Sequence, residues 1–143
     1  MRRALLVGLL CSGLAACALP TPFPPPPPGY PGPRGDLNAD RQACNRAYPP
    51  GIGNYGPHAA CVNAAVERDA IPTARYPDLV RLQEQLRAKY SAEIDRGMIS
   101  PGTGEHKMRE VDQMVSAATR ERDAGRAQAA DNHAGRLTAM LQQ

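Results

Sequence analysis

The residues with the widest chemistry open to them are four cysteines, Cys11, Cys17, Cys44 and Cys61. A thiolate can attack a carbonyl, ligate a metal or carry an acyl chain, and two thiols can join as a disulfide. Nucleophilic catalysis needs a base and an orienting group beside the nucleophile. Of the histidines, His58 alone falls between two cysteines in sequence, while His106 and His133 stand far from them. Cys44, His58 and Cys61 would supply three ligands of a metal site. Zinc asks for a fourth, and its cysteines usually stand closer together, so no metal or other cofactor is expected.

The remaining candidates are weaker. Ser91 and Ser116 fall inside helical patterns, Ser100 precedes Pro101 as a cap would, and Ser12 belongs to the apolar start of the chain. None has the strand-to-helix context of a nucleophile elbow. Glu93 with Asp95, and Glu110 with Asp112, are two apart, a spacing that turns helical side chains in different directions, so they read as solvated faces. Gly51-Ile52-Gly53 lacks the later glycine, the strand before it and the lysine after it that a phosphate loop requires, and reads as a turn. No catalytic residues are expected, and the chain is not expected to be an enzyme.

The positions of the cysteines are set by the elements around them. Met1, Arg2 and Arg3 form a basic start, Ala4 to Leu10 an apolar run, and small residues follow. That is the layout of a secretory signal, and the run is too short to cross a bilayer core of about 30 Å as a helix. It ends in Leu14-Ala15-Ala16-Cys17, which closely resembles the lipobox of bacterial lipoproteins. The resemblance implies that residues 1–16 are a removed signal segment and that Cys17 carries a diacylglycerol, with a third chain commonly on the new amino group. Each buried methylene contributes about 0.8 kcal/mol, and two or more chains anchor stably where one does not. Position 18 is Ala, where enteric inner-membrane lipoproteins commonly carry Asp. The resemblance therefore implies an outer-membrane anchor facing the periplasm.

From Pro20 to Pro33 the chain reads PTPFPPPPPGYPGP. Proline fixes φ and lacks an amide donor, so this stretch is expected to extend as polyproline II at about 3.1 Å per residue. Residues 17–35 are accordingly expected to act as a semi-rigid spacer after the anchor. A proline run is also a ligand for aromatic-lined grooves, and Phe23 and Tyr30 beside it would strengthen such docking.

With Cys11 lost in the signal and Cys17 acylated, Cys44 and Cys61 remain as an exported pair, for which a disulfide is the default. The bond would close a loop of 16 residues and contribute about 3 kcal/mol on the chain-entropy model. The stabilisation matters, because the chain has no Trp and its single Phe, Phe23, lies in the proline tract. Small domains with little apolar bulk often need such a staple. Helix formers over Asp36 to Tyr48 and over His58 to Ala70 flank a breaker-rich loop, Pro49 to Pro57. The disulfide would join the two helices across it.

Further on, Leu79, Leu82, Leu86, Tyr90 and Ile94 step by three or four along one stripe of a helix over Pro77 to Gly97, with Arg81, Glu84, Arg87 and Asp95 off it. Gly97 is a plausible stop. Ser100 and Pro101 open the next helix, which Gly102 and Gly104 weaken by about 1 kcal/mol each relative to alanine, so regular helix is expected from near Glu105. Met108, Val111, Val115 and Ala118 form its stripe. A displaced stripe at Ala130, Ala134, Leu137 and Leu141 suggests one interrupted helix running to the end, in preference to a separate terminal helix. The stretch YPDLVRLQEQLRAKYSAEIDRGMIS resembles a helical hairpin of uncharacterised proteobacterial lipoproteins. The resemblance implies a shared structural role and no activity.

The expected fold is therefore all-α: a disulfide-linked helix pair and a longer helical hairpin over residues 36–143. Removing Arg2 and Arg3 from the 17 Lys and Arg leaves 15 against 14 Asp and Glu. These charges are interspersed, which excludes the basic footprint of a nucleic-acid binder. The expectation is a non-enzymatic envelope lipoprotein, held to the membrane by lipid on Cys17, whose apolar stripes meet a protein partner or a copy of the same chain. The alternative is a small periplasmic ligand or metal binder using the region of Cys44, His58 and Cys61.

Overall fold

The computed structural model describes residues 35–143. The expected signal segment 1–16, the expected lipidation site Cys17 and residues 18–34 of the spacer lie outside the described residues. Within them the fold is all-α, as expected. Five helices, α1 (Leu37–Ala47), α2 (Tyr55–Asp69), α3 (Pro77–Asp95), α4 (Pro101–Asp123) and α5 (Ala127–Gln142), are joined by short links, with a single 3-10 turn at Ile71–Thr73. Helix α3 is the middle layer: it packs on α2 on one side and on α4 and α5 on the other.

The start of α1 is set by Asp36, whose carboxylate accepts from the amides of Asn38 and Ala39 at 2.9 and 3.2 Å. This satisfies two of the amides that a helix start leaves unpaired. Helix α2 begins at Tyr55, three residues earlier than its composition suggested. Gly56 and Pro57, read as breakers, occupy its first turn. Proline is tolerated there because its missing donor would have had no intrahelical acceptor. The donors that do exist are met from outside the helix. Asp95, at the end of α3, accepts from Gly53 N and Gly56 N at 2.7 Å each and from Tyr55 N at 3.2 Å. An added Cβ on Gly56 would lie 3.1 Å from the Asp95 carboxylate, so a glycine lets the cap approach.

Two helices end in the same way. Gly97 and Gly125 have φ of +70° and +72°. The amide after each glycine returns to a carbonyl of the last turn, Met98 N to Glu93 O at 2.9 Å and Arg126 N to Glu121 O at 2.8 Å. This is the Schellman arrangement, which glycine adopts without the Cβ penalty. Gly97 thus stops α3 as expected. Gly125 overturns the single interrupted helix: α4 ends at Asp123, and α5 is a separate helix folded back onto α4.

Ser100 caps α4 through its hydroxyl, which accepts from Thr103 N at 3.1 Å. Regular helix starts at Pro101 and not near Glu105. Gly104 explains the difference, since a Cβ there would stand 2.5 Å from Ile94 Cδ1. The glycine that weakens the isolated helix lets α4 close onto α3.

The core lies in two places. Cys44, Val62, Val66 and Ile71 form one buried cluster under α1 and α2, with Leu37, Cys61, Ala70 and Val80 packed on it. Leu86, Tyr90, Val111 and Leu137 form the other, between α3, α4 and α5. Of the apolar stripes, Leu79, Leu86, Tyr90, Ile94, Val111 and Ala118 are buried within the chain, while Leu82, Met108 and Val115 are partly buried.

Candidate functional site

Among the described residues, both cysteines and one of the histidines, His58, lie at the α1–α2 end. Cys44 and Cys61 are joined as a disulfide with their Cα atoms 5.8 Å apart, inside the usual range for such bonds. Beside this bridge, Asp40 is fully buried on α1 and pairs with Arg68 of α2 at 2.5 Å, while Asp69 bonds the same guanidinium at 3.0 Å. An ion pair and a covalent bond thus tie the same two helices. His58 stands one helical turn before Cys61, and its Nε2 lies 2.7 Å from Asn45 Oδ1. Burial, reinforced by the Arg87 charge, holds the imidazole below its ordinary pKa and favours the neutral ring. Cys44, His58 and Cys61 share one neighbourhood, but both sulfurs are committed to each other. Among the described residues no group of three or more His, Cys, Asp and Glu is placed to hold a metal ion.

Next to His58 the link between α1 and α2 leaves a groove of about 370 Å³, lined by Asn45, Tyr48, Pro49, Pro50, Asn54, Tyr55 and His58. Its walls are mainly apolar, with two tyrosine rings and two prolines. Polar atoms sit at its edge, on Asn45, Asn54 and His58. The Asn54 amide is itself held to Pro49 O at 2.9 Å, and Asp95 fixes the three amides at Gly53, Tyr55 and Gly56. The groove wall is pinned at both ends.

A second polar centre lies on the seam between α2 and α3. Asn63 is buried and donates through Nδ2 to the Glu84 carbonyl at 2.8 Å, while its Oδ1 accepts from Arg87 Nη1 at 2.5 Å. Glu84 is only 5% exposed, and its Oε1 makes no hydrogen bond among the described residues. Burial, aided by the Glu67 carboxylate and opposed by Arg87 and Arg81, pushes its pKa up to about 7. Burial also lowers the pKa of Arg87. Glu84 therefore titrates near neutrality. It faces a cleft of about 400 Å³ shared with Asn63, Ala64, Glu67, Arg81, Gln85 and Ala88. That lining supplies a proton donor and acceptor but no Ser, Cys or His to act as nucleophile.

The sequence reading missed this centre because Glu84 and Arg87 lie off the apolar stripe of α3, where solvent was expected. The α2 helix covers that side. A signal was present in Asn63, a lone polar residue among the buried Ala59, Val62, Ala65 and Val66 of α2. Asp95 and Asp112, read as solvated, are likewise engaged: Asp95 caps α2, and Asp112 accepts from Gln83 Nε2 at 2.7 Å.

No protein-family model, no curated protein and no solved structure matches the chain. No helix among the described residues is long and apolar enough to cross a membrane.

Proposed function

We propose that the chain is a bacterial envelope lipoprotein. Residues 1–16 direct export, Cys17 carries the lipid anchor, and residues 17–35 space the helical domain of residues 36–143 from the membrane, in the reading that favours the periplasmic face of the outer membrane. The helical domain is a non-enzymatic interaction or structural module, presented to another envelope component or to a second copy. The Cys44–Cys61 disulfide carries this reading, because a structural disulfide belongs in an oxidising compartment. It agrees with the lipobox-like Leu14-Ala15-Ala16-Cys17, a feature wholly independent of it. The groove beside His58 favours a second reading, a small apolar ligand bound in the Cys44–His58–Cys61 region. A metal there would lack both thiolates.

The test is the intact mass of the chain from bacterial membranes, before and after reduction. The expected species lacks residues 1–16, carries acyl chains on Cys17 and gains two hydrogen atoms on reduction. A chain that keeps Met1–Ala16 without acylation overturns the anchor. Crosslinking on the same membranes that yields monomer alone overturns the interaction module.

A further inference from the structure

The groove beside His58 and the proline tract outside the described residues are chemically matched. Polyproline II segments dock in aromatic-lined grooves, where rings stack on the proline faces and nearby donors reach the exposed carbonyls, and the preset φ keeps the ordering cost low. Tyr48 and Tyr55 supply the rings, Pro49 and Pro50 extend the apolar wall, and Asn45 stands at the edge, while Asn54 Nδ2 and His58 Nε2 are engaged in holding the wall. The same chain carries five consecutive prolines, Pro24 to Pro28, flanked by Phe23 and Tyr30.

We propose that this groove binds the chain's own proline tract, with the segment from Pro24 to Tyr30 running back alongside α1. The reach fits. The groove lies at the far end of the 11-residue α1, about 16 Å from its start at 1.5 Å per residue. Tyr30 and Pro24 precede Gly35 by 5 and 11 residues, which at about 3.1 Å per residue spans roughly 15 to 34 Å. The reversal needed before α1 falls where Gly35 has φ +68°, a conformation glycine adopts freely, with Gly29 and Gly32 upstream. A tether this short holds the tract at an effective concentration in the millimolar range, so even weak intrinsic affinity fills the groove. Docking leaves residues 17–23 as the spacer. The inference uses only the groove and the tract and stands apart from the lipid anchor.

The test compares the full chain in detergent with a variant in which Pro24 to Pro28 are replaced by serine, probed with a synthetic peptide of residues 20–33. The serine variant is expected to shift the ring resonances of Tyr48, Tyr55 and His58. It is also expected to bind the added peptide at least tenfold more tightly than the unsubstituted chain, whose groove is already filled. Asn45→Ala alters the exposed groove edge without touching either buried cluster, so it keeps the fold and is expected to weaken the peptide's binding to the serine variant. Equal peptide binding by both chains with unmoved rings overturns the internal docking and leaves a groove for another molecule's proline segment. Failure of the peptide to bind either chain overturns the groove as a proline site.

Discussion

The two halves that meet on α3 hold themselves together by different means. Under α1 and α2 the buried apolar cluster is Cys44, Val62, Val66 and Ile71, less bulky in sum than its counterpart and without an aromatic ring. A disulfide, the Asp40–Arg68 pair, the Asp95 cap and the Asn63 bridge make up the difference. Between α3, α4 and α5 the core is Leu86, Tyr90, Val111 and Leu137, the turns close through glycine, and no covalent tie spans the described helices. Small apolar area leaves polar and covalent contacts to specify the structure. Both grooves described above, and the Glu84 carboxyl with its raised pKa, lie on the α1–α2 side or its seam with α3, while the other half has a smaller hollow of about 220 Å³ beside Tyr90 and Met140.

Truncation in the larger core is expected to have the greatest effect. Leu137 is fully buried, and Leu137→Ala should cost about 3–5 kcal/mol, read as a lowered urea midpoint. A loss under about 1 kcal/mol would mean that side chains are not what holds this half. Removing the staple by Cys44→Ala with Cys61→Ala should cost about 3 kcal/mol. Amide exchange should then rise in α1 and the α1–α2 link well before it rises in α4 and α5. Equal loss of protection in both halves would erase the contrast between them.

Glu84 tests the seam through pH. Its folded pKa lies above the ordinary carboxyl value, so the protonated form is favoured by folding. The stabilisation is complete below about pH 4.5 and is lost as pH rises through about 7, by on the order of 2–3 kcal/mol. Glu84→Gln should match the parent near pH 4 and exceed its stability at pH 8, in denaturant titrations at both values. The lowered pKa of His58 acts in the opposite direction, favouring the neutral ring, so stability is lost as pH falls below about 6.5. That acid-side loss should survive in the Glu84 variant. The smallest effect is expected at Asp95: Asp95→Ala should cost about 1–2 kcal/mol, as loss of a helix cap does. It should speed exchange at Gly53, Tyr55 and Gly56 while leaving α5 untouched.

Much of this architecture is legible in the sequence because periodicity and local punctuation act over a few residues. The stripe from Leu79 to Ile94, the Ser100 cap, the Gly97 stop and the pairing of Cys44 with Cys61 are all local signals or follow from small numbers. The failures have long-range causes. Pro57 sits in the first turn of a helix because Asp95, 38 positions later in the numbering, accepts from the amides just before it. Gly104 strengthens a helix that its propensity weakens, because Ile94 lies against it. Gly125 is as clear a stop as Gly97, but the apolar residues after it kept the helical period and concealed the turn. For the polar seam, no property of α3 alone distinguishes Glu84 and Arg87 from surface charges. Only the side to which α2 returns makes them interior.

The middle position of α3 bears on how this sequence can drift. Along its 19 residues only Asp78, Arg81, Gln85 and Ala88 are open to solvent, one narrow strip at helical spacing. The other positions are buried or half-buried, Leu79, Leu86, Tyr90 and Ile94 among the most deeply. In a library of random substitutions, accepted changes in α3 should therefore gather on that strip, and α2, where only Ala64 and Glu67 are exposed, should be at least as intolerant. The α2–α3 pair is the slowly varying spine against which the more exposed α1, α4 and α5 keep their alignment.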